Sequence, residues 1–501
     1  MQNLLSFILS IMLLLTNIFP SLGNVYVKDF KKGWCIDNNG YANSGEEVER
    51  LISVVPNENQ LKFNELGYYN FIHFSTNTFT GDEWGNGTED VSVFNPTNLD
   101  TDQWCEVLSK TGSKGVIITA KHHCGFCLWD TKTTDYNVMN SPYGKDIVAE
   151  LSESCKKYGL LLGIYLSPWD RHEAAYGSDA YNDFYVEQLK ELCTNYGDIF
   201  CFWFDGACGE GPNGKKQEYD WQRYYDVIHE LQPGAVISNC GPDVRWIGNE
   251  GGEVRESEWS VIPASNVSVD TVIDGSQQRE GKLPNVTEYT KDMGSREVVS
   301  KYRDLKWSPA EADVSIGGGW FYPNKPFSPL IRAKELANIY FNTVGGNASL
   351  LLNAAPDTTG RIPDNEVKTL ELFTKFVTKE FENKLDFTVS TLSTSGEYRD
   401  TQLSDTMKLA DDEYALKLNF GSKTKVSSLV LKENISFSQR VEDFDVYTKF
   451  GNGYKRVADC TVIGSQKIVR FNVPLKTDEL VIVFRQSRSN PVLSEISAYG
   501  A

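Results

Sequence analysis

Between residues 56 and 385, short and continuously apolar runs alternate with stretches of helical periodicity. The apolar runs begin near Tyr68 (YYNFIHF), Gly115 (GVIITAK), Leu160 (LLLGIYLS), Ile199 (IFCFWFDG) and Ala235 (AVISNC), and a last one covers 348–354 (ASLLLNA). Runs this short and this apolar fit strands covered on both faces, as in a parallel sheet. Between them, 102–111, 146–158 and 180–196 carry helical patterns, each behind an Asp, Ser or Asn that can cap a first turn. The alternation describes βα units, and a spacing of about 35–50 residues per unit leaves room for about eight of them. The predicted fold is α/β, a (β/α)8 TIM-like barrel. A doubly wound open sheet is the competitor, but no Gly-rich phosphate loop follows the first strand.

After Phe387 the helical period disappears. Short alternating segments take over at 415–420, 425–432, 443–450, 467–471 and 480–484, with turns such as Gly451-Asn452-Gly453 between them. This predicts a C-terminal antiparallel β-sandwich, and bracing the barrel is its favoured role. The expected organisation is a signal peptide at 1–23, an N-terminal segment at 24–55, the catalytic barrel at 56–385 and the sandwich at 386–501.

The signal peptide rests on an apolar run at 4–19 followed by Pro20-Ser21-Leu22-Gly23, which supplies small residues before a cleavage point. An uncleaved anchor is the alternative, since the first residues contain no Lys or Arg. No second run is long enough to span a bilayer, so no stable membrane insertion is expected after cleavage. Sequons at Asn86, Asn266, Asn285, Asn347 and Asn434 fit a secreted or lysosome-like destination, although Asn347 borders an apolar strand where a glycan has no room. Ten cysteines leave disulfides open without specifying a pairing. The net charge of −19 argues against nucleic-acid partners.

A barrel places its chemistry where strands end at the C-terminal face. The first predicted strand ends at His73, the second runs into Lys121-His122-His123, the third carries Tyr165, and the fourth ends in Trp203-Phe204-Asp205. The chain has only five histidines, and three of them fall on two strand ends. Asp205 closes an aromatic strand, where a carboxylate either caps the next helix or reacts; as a reacting group it suits attack on a sugar's anomeric carbon. The second carboxylate such chemistry needs is ambiguous among Glu250, Glu253, Glu256 and Glu258. Cys124-Gly125-Phe126-Cys127 beside the histidines raises a redox or metal site, but no complementary ligand set has regular spacing. No metal and no cofactor are expected.

The segments FIHFSTNTFTGDEWG, AKHHCGFCLWDTKTTDY, YLSPWDRH, FWFDGA, WIGNE, WSPAEADVSI, GWFY and LLLNAAPDTTGRI follow one another in an order that resembles glycoside hydrolase family 29, the α-L-fucosidases. YLSPWDRH and WIGNE are similar to the subgroup that prefers α-1,3/1,4-linked fucose. The resemblance implies a retaining exo-acting α-L-fucosidase whose partners are fucosylated oligosaccharides or glycoconjugates. It implies Asp205 as nucleophile and Glu250 as acid/base, and it implies that His73, Glu83, Trp84, His122, His123, Tyr165, Trp203 and Trp320 bind fucose. Cys124 stands where the family usually has an acidic residue, Gly317-Gly318 where it has Arg-Pro, and Pro323 where it has His. The first departure is expected to alter the support of the histidines, the others the loop at Trp320.

Overall fold

The computed structural model describes residues 25–27, 30, 45–276, 285–323 and 329–501. The expected signal peptide lies outside the described residues. Eight parallel strands form the barrel: β1 Tyr68–Ile72, β2 Gly115–Lys121, β3 Leu161–Leu166, β4 Ile199–Phe204, β5 Val236–Asn239, β6 Arg245–Trp246, β7 Ala310–Ser315 and β8 Ala348–Asn353. The parallel bridge Ser238–Val244 joins β5 to β6 and closes the ring.

Helices α1 Glu58–Leu66, α2 Thr101–Lys110, α3 Ile147–Tyr158, α4 Asp179–Asn195, α5 Trp221–Leu231, α6 Val269–Ser276, α7 Ala333–Thr343 and α8 Asp364–Glu380 accompany the strands. Asp100 and Asp146 cap α2 and α3 through the Gln103 and Ala149 amides, so acceptor side chains satisfy orphan donors as the sequence implied. Ser178 precedes α4 without a side-chain cap bond. No helix separates β5 from β6. The chain turns back within five residues, held by Tyr225 Oη donating to Cys240 O at 2.6 Å. Gly241 permits this turn, because a Cβ there would stand 2.3 Å from Ile237 O.

Two barrel strands escaped the apolar pattern. β6 has only two residues. On β7, Glu311 and Asp313 interrupt the apolar run, and with a period of two they share one face. That face is the barrel interior. Glu311 Oε1 accepts from Trp203 Nε1 at 2.6 Å and from Ser238 Oγ at 2.9 Å, and Tyr69 Oη donates to Oε2. Donors from β4, β5 and β1 thus converge on one fully buried carboxyl. Burial raises its pKa while those hydrogen bonds oppose the rise.

The C-terminal region is an antiparallel sheet folded over its own core, built from β9 Thr388–Ser393, β10 Tyr398–Thr401, β11 Glu413–Glu433, β12 Val441–Phe450, β13 Gly453–Cys460, β14 Lys467–Ser487 and β15 Val492–Gly500. With the barrel it gives the expected two-part architecture. Two predicted strand pairs are each one long strand. β11 covers both 415–420 and 425–432, and β14 covers both 467–471 and 480–484, with register shifts where a turn was expected. Such shifts bend a strand without ending it. Tyr26–Val27, far away in sequence, adds an edge to β13.

The sandwich meets the barrel near the start of β8. Ile468 N donates to Gly345 O at 3.0 Å, and Gln439 receives Ser260 N at 2.8 Å while its Nε2 donates to Glu258 O at 3.2 Å. Asn347 Nδ2 donates to Glu258 O at 2.8 Å, which commits this sequon's amide to the interior. Asn266 is buried as well, whereas Asn86 is exposed. The nine cysteines among the described residues are free thiols. Among the described residues no helix is long and apolar enough to cross a membrane.

Candidate active site

The C-terminal ends of the barrel strands open into a cavity of about 700 Å³. His73, Glu83, Trp84, His122, His123, Tyr165, Trp203, Asp205, Glu250 and Trp320 all line it. Of the four glutamates left open after β5, only Glu250 does so. Glu258 is fully buried and paired with Arg245 and Arg255; Glu253 and Glu256 are exposed and line no part of the cavity.

Asp205 follows β4 directly. Its Oδ2 accepts from Tyr165 Oη at 2.9 Å and its Oδ1 from Ala207 N at 2.7 Å. His123 Nε2 stands 3.9 Å from Oδ2. The next helix, α5, is capped by Asp220 instead, so Asp205 is not a helix cap. The side chain retains 27% of its surface accessible. The carboxylate is therefore hydrogen-bonded on both oxygens yet open to the cavity.

The histidines are oriented from behind. His73 Nδ1 lies 2.9 Å from Asn353 Oδ1, and Asn353 Nδ2 donates to Ser315 Oγ at 3.0 Å and to Trp320 O at 2.7 Å. His123 Nδ1 lies 2.7 Å from Ser167 Oγ, whose own proton goes to Trp169 O at 2.7 Å. Each Nδ1 therefore carries the hydrogen, and each Nε2 offers a lone pair. Burial pushes the His73 pKa down to about 3 and lowers His123, where the Asp205 charge opposes it. His122 falls well below its ordinary range, through burial and then its neighbouring histidines, and its Nδ1 has no hydrogen-bond partner among the described residues. Burial thus favours the neutral form of all three rings. Neutral imidazoles suit hydroxyl groups rather than a charged ligand.

The rim is built from loops. Glu250 is exposed, and its carboxyl pKa is raised, first by partial burial and also by the Asp205 charge, while a hydrogen bond from the Trp320 side chain lowers it. Trp320 N donates to Glu83 Oε1 at 2.5 Å, and the Trp320 ring lies 5.1 Å from His73. Burial raises the Glu83 pKa too. Trp84 is 58% exposed and meets Trp169 edge-on at 5.9 Å, so it belongs to the mouth rather than the floor.

The Cys124 thiol has its hydrogen-bond partners in Ser75, Thr76 and Asn77. Its Sγ donates to Asn77 Oδ1 at 3.2 Å, and a Cβ on Gly85 would meet its own Cβ at 2.6 Å. Its place is beneath the Glu83-Trp84-Gly85 turn. A Cβ on Gly317 or Gly318 would meet nothing within 4 Å, so these departures open space beside Trp320. Among the described residues no group of three or more His, Cys, Asp or Glu side chains is arranged to hold a metal ion.

Sequence reasoning missed Asp313, Trp246 and Asn353. Asp313 lines the cavity and accepts from Trp246 Nε1 at 2.9 Å. The signal was present, since Glu311 and Asp313 alternate within an otherwise apolar segment. Buried carboxylates spaced by two mark a polar inner face of a strand.

The family model for α-L-fucosidases matches residues 25–382. α-L-Fucosidase 1 of Arabidopsis thaliana is 37% identical over 467 residues, covering 89% of this chain and 87% of its own. A glycoside hydrolase 29 family member from a rumen bacterium superposes with a TM-score of 0.75 at 32% identity, covering 89% of this chain and 77% of its own. A Ruminococcus gnavus glycoside hydrolase 29 fucosidase, solved in complex with fucose, gives a TM-score of 0.75 at 27% identity over 93% of this chain and 98% of its own. With a cavity lined by histidines, aromatic rings and the carboxyls of Asp205 and Glu250, this chain belongs to the α-L-fucosidase family of glycoside hydrolases.

Proposed function

We propose that the chain is a retaining, exo-acting α-L-fucosidase that releases terminal α-1,3/1,4-linked fucose from glycans through a covalent fucosyl-Asp205 intermediate. The observation that carries this reading is the environment of Asp205: a carboxylate hydrogen-bonded by Tyr165 and Ala207, open to the cavity, with the raised carboxyl of Glu250 lining the same space.

His73 and His123 would accept hydrogen bonds from fucose hydroxyls through their Nε2 atoms, and Trp320 would pack on the sugar's apolar edge. Asp205 attacks C1 while protonated Glu250 gives its proton to the departing glycosidic oxygen. The C1–O bond breaks and an ester to Asp205 forms. Glu250, now ionised, takes a proton from water, which attacks C1, releases fucose of retained configuration and frees Asp205. A raised Glu250 pKa serves the first step, because the acid must hold its proton at the working pH. Tyr165 and Ala207 keep the nucleophile aligned.

The preference for α-1,3/1,4 linkages rests on the YLSPWDRH and WIGNE segments. Hydrolysis of Lewis-type trisaccharides, compared with α-1,2-fucosyllactose and an aryl fucoside, tests it; faster release from α-1,2-fucosyllactose would overturn it. The anomer of the first product, followed by proton NMR, tests retention. Passage through the secretory pathway rests on the leader-like first 23 residues and the exposed sequon at Asn86. N-terminal sequencing and a mass shift on deglycosylation test it.

A further inference from the structure

Tyr289 is 69% exposed, yet it lines the same cavity as Asp205 and Glu250. A single exposed tyrosine needs no special account, but this one is held in place from several sides. Its ring stands edge-on to Trp246, with centroids 6.4 Å apart at 89°, and Trp246 is itself fixed through Nε1 to Asp313.

The turn that carries Tyr289 is anchored at both shoulders. Thr287 N donates to Thr290 Oγ1 at 2.9 Å, Arg255 Nε donates to Thr290 O at 2.7 Å, and Arg255 Nη2 donates to Glu288 O. The same guanidinium reaches Ile247 O at 3.3 Å, immediately before the Gly248-Asn249-Glu250 loop. Gly248 has φ +96°, and a Cβ there would stand 2.6 Å from Glu288 O, so the loop bearing Glu250 and the turn bearing Tyr289 touch backbone to backbone. Arg255 is secured in turn by the buried carboxylate of Glu258 at 3.2 Å. One cation thus ties the proton donor's loop to an open aromatic ring.

We propose that Tyr289, backed by Trp246, forms a leaving-group subsite: the face on which the neutral pyranose ring that carries fucose rests. This rests on Glu250 as the proton donor. A donor must stand beside the glycosidic oxygen, so the leaving group leaves the cavity on the Glu250 side, where the Tyr289 turn is tied. An amphipathic aromatic ring with few rotatable bonds holds a sugar's C–H face at small entropic cost. Glu250 and Glu288 line that side, which disfavours an acidic sugar and fits a neutral one. The loop tie makes the subsite specific: the residue that protonates the leaving group and the ring that seats it move as one body.

The test compares Tyr289→Ala and Tyr289→Phe with the parent enzyme on two substrates. One is a neutral Lewis-type trisaccharide with α-1,4-linked fucose; the other is α-L-fucosyl fluoride, whose leaving group is a single atom. In Tyr289→Ala the ratio of kcat/KM, trisaccharide over fluoride, is expected to fall about tenfold, chiefly through KM, as for truncation of an aromatic contact residue. In Tyr289→Phe, which keeps the ring, the ratio is expected to return to within about twofold of the parent. A ratio unchanged in Tyr289→Ala overturns the proposal, as does an equal loss in the Phe variant. Glu250→Ala is run alongside. If Glu250 is not the proton donor, that variant loses both substrates alike. If only the subsite is wrong, Glu250→Ala stays selective against the trisaccharide while Tyr289→Ala shows no selectivity.

Discussion

Asp205, His73, His122 and His123 stand on or directly after strands β1, β2 and β4, whereas Glu250, Tyr289 and Trp320 stand on the connections that follow β6 and β7. The two groups face each other across one cavity and are held by different physics. On the floor, three of these side chains are fixed by a neighbour on or just after a nearby strand: Tyr165 for Asp205, Asn353 for His73, Ser167 for His123. On the rim, the side chains sit on loops that strand ends hold: Asn353 Nδ2 donates to Trp320 O at 2.7 Å, Trp246 backs Tyr289, and Gly251 bridges to Val314 of β7. The loop after β6 is tied further by the buried Arg245–Glu258–Arg255 network, itself braced by Gln439 from the sandwich. Floor geometry therefore depends on the barrel closing, and rim geometry depends on that network as well.

The largest effect should come from the floor. Asp205→Asn removes the proposed nucleophile while keeping Tyr165 and Ala207 beside it, and kcat on a Lewis-type trisaccharide should drop by about 10⁴-fold or more. Its thermal unfolding should match the parent, because the amide fills the same space; near-parent activity would remove Asp205 from its role.

On the rim, Glu250→Ala should lower kcat/KM on the trisaccharide by about 10²–10⁴-fold. Azide should restore turnover of a substrate with an activated leaving group and yield a fucosyl azide of retained configuration. Rescue in Glu256→Ala instead would move the acid/base there.

Glu258→Ala separates the two regions. It leaves two guanidinium groups without their carboxylate in a buried site and should destabilise the protein by about 3–5 kcal/mol, read by urea unfolding. Below the unfolding transition, its activity defect should be larger on the trisaccharide than on fucosyl fluoride, because the rim loosens while the floor stays intact. A uniform defect would show that floor and rim are not independent.

The smallest effect sharpens the electrostatics. The Trp320 side chain hydrogen-bonds Glu250 and lowers its pKa against the upward push of burial and Asp205. Removing that donor in Trp320→Phe should raise the Glu250 pKa further. The proton is then kept to higher pH, and the alkaline limb of kcat/KM should move upward. A shift toward acid would contradict the assignment of Glu250 as the protonated partner.

The legibility of the fold follows from the same division. Six barrel strands announce themselves as apolar runs because both their faces are covered. β7 does not, because its inner face carries Glu311 and Asp313, whose partners come from strands distant in sequence. β6 has two residues, too few for any period to register. The long strands β11 and β14 read as two strands apiece because polar residues at their bends mimic turns. Tyr26–Val27 has no pattern of its own and becomes a strand only against β13. What Cys124 touches was not legible in the sequence: its thiol bonds Ser75, Thr76 and Asn77, residues some fifty positions away, beneath the Glu83 turn.

The sequence by itself determined the barrel's repeating order, the sandwich that follows, and the strand-end residues of the floor, because local periodicity and strand ends are written in neighbouring positions. It also carried Glu250 within a motif, but left it one of four glutamates on physical grounds. Only the tertiary structure shows that Glu250 alone of the four lines the cavity, since the burial of Glu258 between two arginines, the exposure of Glu253 and Glu256, and the tie between the Glu250 loop and the Tyr289 turn arise from how the chain folds back on itself. Hydrogen-bond satisfaction of buried charge is a property of the folded interior, and no run of residues displays it alone.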